Sequence, residues 1–214
     1  MLKRKFIFAL AFVLTLSLAS MALAHPGKLD ANGGHFDKET GEYHYHKGPN
    51  ALQSLEIRRN TVYKAKIERV VDGDTAIISF IFDDGSKYLK ERVRFLGVNT
   101  PETVHPNKPV EYYGKEASNF TKKELTDQTV WLQTDAEVKD RYGRMLAYVW
   151  LKEPTREELD SEEAIREYMF NAKLLLDGYA QLMTVQPNSR YSNLFVHFQR
   201  EARQESRGLW GEDN

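Results

Sequence analysis

Thr75-Ala76-Ile77-Ile78-Ser79-Phe80-Ile81-Phe82 runs into Asp83-Asp84-Gly85-Ser86, and Tyr88 to Val98 follows. The first run is rich in β-branched and aromatic side chains and the middle four residues favour a turn, so the whole predicts a β-hairpin. Upstream, Val62 to Val71 alternates imperfectly and reads as a further strand. Downstream, Glu111 to Leu125 reads as a helix, with Pro109 just before it and Tyr113, Ala117, Phe120 and Leu125 on its apolar face. Thr129 to Thr134 and Arg144 to Leu151 are two more strands, with a corner at Asp140 to Gly143. Five strands with a helix between the third and fourth predict an α+β fold, mainly a β barrel of the five-stranded OB type. The fifth strand is expected beside the first, which would bring Arg144 to the cleft.

The acidic stretch Glu153 to Arg166 reads as a solvated helix or loop without chemistry. Ile165 to Leu176 predicts a helix capped by Gly178, and Asn193 to Ser206 another that stops at Gly208, with Trp210 tucking back. The barrel would therefore carry three packed helices. No internal repeat is visible.

The chain begins differently. Lys3, Arg4 and Lys5 precede an apolar run from Phe6 to about Leu18, and Ala22-Leu23-Ala24 follows. A basic start, an apolar core and an Ala-x-Ala site predict a secretory signal peptide over residues 1–24, and the run is short for a membrane span. A secreted or cell-envelope location follows. Residues 25–50 form a small irregular segment that holds His25, His35, His44 and His46 and lacks apolar periodicity. It resembles the Tyr-His-Tyr-His modules of exported bacterial proteins, and its clustered imidazoles suit a transition metal. A disordered or wall-adhering tail is the equal alternative. Residues 51–61 read as a linker, and 62–211 as the barrel domain.

The chain has no cysteine, so an exported protein of this kind relies on packing rather than disulfides. Its formal net charge is −1, and loss of the three cations in residues 1–24, which contain no acid, leaves −4. This excludes a generic polyanion binder. Any nucleic-acid binding must come from a local basic site.

Such a site is written into three short pieces: Val71-Asp72-Gly73-Asp74-Thr75, Arg94 to Thr103, and Asp140-Arg141-Tyr142-Gly143-Arg144. Phosphodiester hydrolysis needs a cation or its equivalent at the phosphate oxygens, donors for the developing charge, and a group to handle the attacking water. Asp74 and Asn99 suit an oxygen-loving divalent ion. Arg94 and Arg144 suit phosphate through their planar forks, and Glu102 suits the water. Each piece also has a plain reading. Asp-Gly-Asp-Thr is ordinary turn chemistry, Arg94 fits the wet face of a strand, Thr100-Pro101-Glu102 fits a strand exit, and Tyr142-Gly143-Arg144 fits a hairpin corner. Their joint occurrence in this order favours the chemical reading.

The stretch from about Tyr63 to Trp210 resembles the staphylococcal-type thermonucleases, calcium-dependent secreted nucleases on an OB-fold. The resemblance is carried by Val71 to Thr75, Arg94 to Thr103, His105-Pro106, Val110-Glu111, Tyr113-Gly114, Glu116-Ala117-Ser118, Phe120-Thr121-Lys122-Lys123, Asp140, Tyr142-Gly143-Arg144, Leu146-Ala147-Tyr148 and Trp210. It implies Arg94, Glu102 and Arg144 as catalytic residues. It implies Asp74, Asn99 and the Thr100 carbonyl as metal ligands, with Asp72 behind them. It also implies DNA and RNA as substrates and cleavage that leaves 3′-phosphates. A monomer without a stable protein partner is the default expectation. Two departures stand out. Asn99 replaces an aspartate, which removes one negative charge and predicts weaker calcium binding. Thr184 replaces an aromatic that flanks the nucleotide. The alternative is a non-catalytic OB-fold binder of nucleic acid or wall polymer, which would have no need of Arg94, Glu102 and Arg144 together.

Overall fold

The computed structural model describes residues 57–82, 87–103 and 109–211, together with the backbone of 34–36 and 43–45. The expected signal peptide, linker and most of the histidine-rich segment lie outside these residues, including His25 and His46. Within that segment β1 (Gly34–Phe36) and β2 (Tyr43–Tyr45) pair antiparallel, with His35 opposite His44.

The main body is a closed five-stranded barrel, as the alternation predicts. Its strands are β3 (Val62–Asp72), β4 (Thr75–Ile81), β5 (Lys87–Phe95), β7 (Thr129–Gln133) and β8 (Met145–Trp150), in the order β3-β4-β5-β8-β7. Inward positions Ala65, Ile67, Ile78, Val93, Val130 and Leu132 are fully buried, so successive inward residues of each strand fill the barrel. Helix α1 (Gly114–Leu125) connects β5 to β7 and buries Ala117 and Leu125.

One expectation about order is corrected. The last strand does not lie beside the first; β8 pairs in parallel with β5, with Arg94 opposite Leu146, while β7 pairs with β3. A parallel pair needs a long crossover, and α1 with β7 supplies it. The parallel pairing makes the Arg94 strand a direct neighbour of the strand that Arg144 precedes.

The third strand is also shorter than expected. It stops at Phe95, turns at Leu96, and resumes as β6 (Gly97–Asn99), which pairs with a strand absent from the sequence reading, β9 (Gln181–Met183). Gly97 has φ 75, and a Cβ there would lie 2.5 Å from the Phe195 ring, so only glycine fits this break. Asn171, fully buried, spans it: Nδ2 donates to the Leu96 carbonyl (2.8 Å) and Oδ1 accepts from the Val149 amide (2.7 Å).

The expected helix over 165–176 is two helices, α2 (Glu162–Tyr168) and α3 (Phe170–Leu176). Met169 between them is extended and forms a bridge to Trp150, while the Leu151 amide bonds the Tyr168 carbonyl at 2.8 Å. Tertiary pairing with the barrel edge thus overrides helical propensity at one residue. The acidic stretch holds a short 3₁₀ turn, Glu158–Asp160, and a Lys152–Glu158 ion pair at 2.5 Å. Helix α4 (Ser192–Gln204) closes the fold. Trp210 packs back beneath the Arg203 guanidinium, 4.2 Å from its ring.

Candidate active site

The β3–β4 corner is where the first acidic pair is fixed. Gly73 sits at this turn because a Cβ would meet Thr100 Oγ1 at 2.6 Å, and Thr121 Oγ1 holds the Gly73 carbonyl at 2.7 Å. The corner turns Asp74 inward. Its Oδ1 accepts from the Thr75 hydroxyl (3.1 Å), and its Oδ2 accepts from the Thr100 amide (2.8 Å) and pairs with Arg94 Nη2 at 3.0 Å. Thr75 lies opposite Arg94 in the β4–β5 ladder, so the strand register itself brings this carboxylate to this guanidinium.

Arg94 is the hub, with only 12% of its side chain exposed. Nη1 donates to the Phe95 and Val98 carbonyls, both at 2.7 Å, which the break at Leu96 folds back toward it. Nη2 also reaches Asn99 Oδ1 at 3.1 Å and the Met183 thioether at 3.9 Å. Burial pushes this guanidinium below its ordinary value, Asp74 pulls it back, and the positive charge of Arg144 adds to the lowering. An arginine stays charged through such shifts. Two cations that feel each other in a partly buried site are costly unless an anion joins them.

Arg144 is set by a compact turn. Asp140 Oδ1 accepts from the Tyr142 and Arg144 amides, both at 2.9 Å, and Oδ2 accepts from Arg144 Nε at 2.7 Å. Burial pushes Asp140 up, yet these three donors win and hold it below the usual carboxylate range. Arg94 and Arg144 line one cleft of about 410 Å³ with Tyr142, Leu146, Met183 and Val185 among its other walls. Arg144 and Tyr142 also border a second hollow of about 450 Å³. Tyr142 stands between them, 68% exposed, with Arg144 5.5 Å from its ring.

Glu102 sits on the Asp72 side of the corner. Its backbone is held twice by Glu111: the Glu111 amide donates to the Glu102 carbonyl (3.0 Å), and Glu111 Oε2 accepts from the Glu102 amide (2.9 Å). Asp72 accepts from Gly73 N (2.8 Å) and Thr103 Oγ1 (2.6 Å). Burial raises the Asp72 pKa above its ordinary 3.8, against those two hydrogen bonds, and the charge and hydrogen bond of Glu102 raise it further. The two carboxylates are therefore neighbours.

The expected residues thus form a connected set. Glu102 adjoins Asp72, one corner separates Asp72 from Asp74, and Asp74 and Asn99 share one nitrogen of Arg94, which faces the cleft with Arg144. Thr100 is buried; its amide serves Asp74, and its Oγ1 has no hydrogen-bond partner among the described residues. Thr184 is exposed, just past β9. Sequence reasoning missed Asn171, the role of Glu111, and Met183 of β9 with Val185 just beyond it, which wall the cleft. Only the β6–β9 pairing brings β9 here, and a three-residue strand carries too little alternation to announce itself.

Do the residues suit a metal ion? Asp74 Oδ2 and Asn99 Oδ1 converge on a single positive charge, which the guanidinium supplies here. Among the described residues no cluster of three or more His, Cys, Asp or Glu could hold a metal. The Asp74 carboxylate and Asn99 amide oxygens, completed by carbonyl or water oxygens, make a donor set that fits a hard ion better than a soft one.

The family whose description is staphylococcal nuclease homologue matches residues 92–212, a stretch that contains Arg94, Asn99, Thr100, Glu102 and Arg144. The chain is 44% identical over 163 residues to the thermonuclease of Staphylococcus intermedius, covering 76% of this chain and 83% of that protein. Its identity to the thermonuclease of Staphylococcus hyicus is 40% over the same span and shares. Endonuclease YncB of Bacillus subtilis is 29% identical over 216 residues, 98% of this chain and 92% of that protein. With the closed barrel and these matches together, the chain belongs to the staphylococcal nuclease homologue family.

Proposed function

We propose that this protein is an exported, metal-dependent endonuclease that hydrolyses phosphodiester bonds of DNA and RNA and leaves 3′-phosphate products. The observation that carries the reading is the convergence of Asp74 and Asn99 on Arg94, which lines one cleft with Arg144. That arrangement holds two cationic forks beside oxygen ligands, as a dianionic transition state at phosphorus requires.

Asp74, Asn99 and the Thr100 carbonyl would hold the metal, with calcium the expected ion; when bound, it neutralises phosphate oxygens and lowers the cost of charge build-up. Arg144 binds the non-bridging oxygens bidentately through its two terminal nitrogens, and Arg94 adds its positive charge beside them. Asp140 keeps Arg144 turned to the cleft through Nε, which leaves its terminal nitrogens for substrate. Glu102 orients the attacking water and takes its proton, and the double Glu111 contact fixes the backbone from which it works. The apolar walls at Leu146, Met183 and Val185 offer a surface for a base or sugar. Residues 1–24 would direct export. Among the described residues no helix is long and apolar enough to cross a membrane.

The test is cleavage of single- and double-stranded DNA and of RNA with calcium, magnesium, manganese or zinc, and with chelator. Cleavage of all three substrates that chelator abolishes and calcium restores, with 3′-phosphate ends, is expected. Binding without cleavage under every ion would overturn the reading.

A further inference from the structure

Three methionines lie among the described residues, and they differ sharply. Met145 and Met169 are fully buried, whereas Met183 is 44% exposed. On β9 Met183 lies opposite Gly97, and its side chain lines the cleft together with Arg94 and Arg144. Its Sδ is 3.9 Å from Arg94 Nη2.

That nitrogen is contested. Nη1 already serves two carbonyls, and Nη2 faces Asp74 Oδ2 at 3.0 Å, Asn99 Oδ1 at 3.1 Å and the sulfur. A guanidinium NH₂ has two protons for these three acceptors, and a thioether is the weakest of them. The sulfur therefore holds the guanidinium only weakly.

We propose that Met183 is an oxidation-sensitive modification site that restrains Arg94 and so slows the nuclease. A peroxide transfers one oxygen to Sδ. The sulfur lone pair forms the S–O bond as the O–O bond breaks, sulfur loses two electrons, and the peroxide leaves as water or an alcohol. Exposure directs this chemistry to Met183 before the two buried methionines. The sulfoxide oxygen is a strong acceptor where the sulfur was a weak one, so it competes with Asp74 and Asn99 for the two Nη2 protons and adds a hold on the guanidinium that keeps it from the phosphate. It also makes part of the apolar cleft wall polar. The effect on rate rests on the nuclease reading above; the restraint of the guanidinium does not.

The experiment treats the full chain briefly with hydrogen peroxide and reads three quantities. Peptide mass spectrometry follows the oxygen gained at each methionine, a cleavage assay gives the ratio of treated to untreated rate, and nitrogen NMR of the arginine side chains reports proton exchange at the Arg94 guanidinium. Met183 is expected to gain oxygen first, the rate to fall about tenfold, the worth of one charge-assisted hydrogen bond, and Arg94 exchange to slow. Met183→Leu should keep its treated-to-untreated ratio near one. Earlier oxidation of Met145 or Met169, an unchanged rate with Met183 fully oxidised, or an equal peroxide loss in Met183→Leu would each overturn the proposal. A chain that cleaves nothing before treatment would instead refute the nuclease reading. In that case unchanged Arg94 exchange after oxidation would still overturn this one.

Discussion

Asn99→Asp restores a carboxylate at one of two oxygens that converge on Arg94 Nη2. Asp74 Oδ2 lies 3.0 Å and Asn99 Oδ1 3.1 Å from that nitrogen, so the two carboxylates would stand within about 6 Å of each other. At an effective dielectric near 20 their repulsion is about 3 kcal/mol. A divalent ion between them carries twice the charge at less than half that distance, so attraction exceeds repulsion, although desolvation takes back most of the gain. Arg94 is attracted by the same added charge and competes with the ion. The balance left is about 1.5 kcal/mol, the low end for one charge-assisted contact, or a tenfold fall in half-saturating calcium. Isothermal calorimetry measures binding directly, and a calcium titration of cleavage measures it through rate. Equal half-saturating concentrations for the parent and Asn99→Asp in both would refute the charge reasoning.

Asn171→Leu keeps the volume and removes both buried hydrogen bonds, so the Leu96 carbonyl and Val149 amide lose their partner; a loss of about 2–4 kcal/mol is expected in denaturant unfolding. Asp72→Asn should raise the melting temperature at pH 7. Burial raises the native pKa of Asp72, so its ionised form penalises folding above that pKa, and the advantage of the asparagine should vanish as pH falls toward 3.8. Asp140 has the opposite sign: its native pKa is lowered, so its contribution is present above 3.8 and is lost as pH falls through the lower native value. Asp140→Asn should therefore show less acid-side loss of stability than the parent in pH-dependent melts.

The barrel was legible because period-two alternation is a local signal that burial of one face obeys; the turn expected at residues 83–86 lies outside the described residues. The sequence also marked out Asp74, Arg94 and Arg144 as charged side chains at strand ends; Asp74 pairs with Arg94, and Arg94 and Arg144 line one cleft. What could not be read was long-range pairing. Leu96 looks like one more strand residue until Gly97 and Phe195 force the break, and Gln181–Met183 becomes a strand only because Gly97–Asn99 lies beside it. Met169 is likewise extended because Trp150 bridges to it across the barrel edge, which no helical period foretells. The placement of the last strand beside the Arg94 strand follows from the α1 crossover rather than from any residue in either strand.

The most direct test is single-turnover DNA cleavage by Arg144→Ala beside its melting temperature. Arg144 is more exposed than Arg94 and, among the described residues, its only ion pair is with Asp140, so its loss should leave the barrel standing. Removal of one preorganised donor at the transition state should lower the rate about a hundredfold or more, with little change in melting. A rate close to the parent's, or a loss of activity that merely tracks unfolding, would contradict a phosphodiesterase centre shared by Asp74, Arg94 and Arg144.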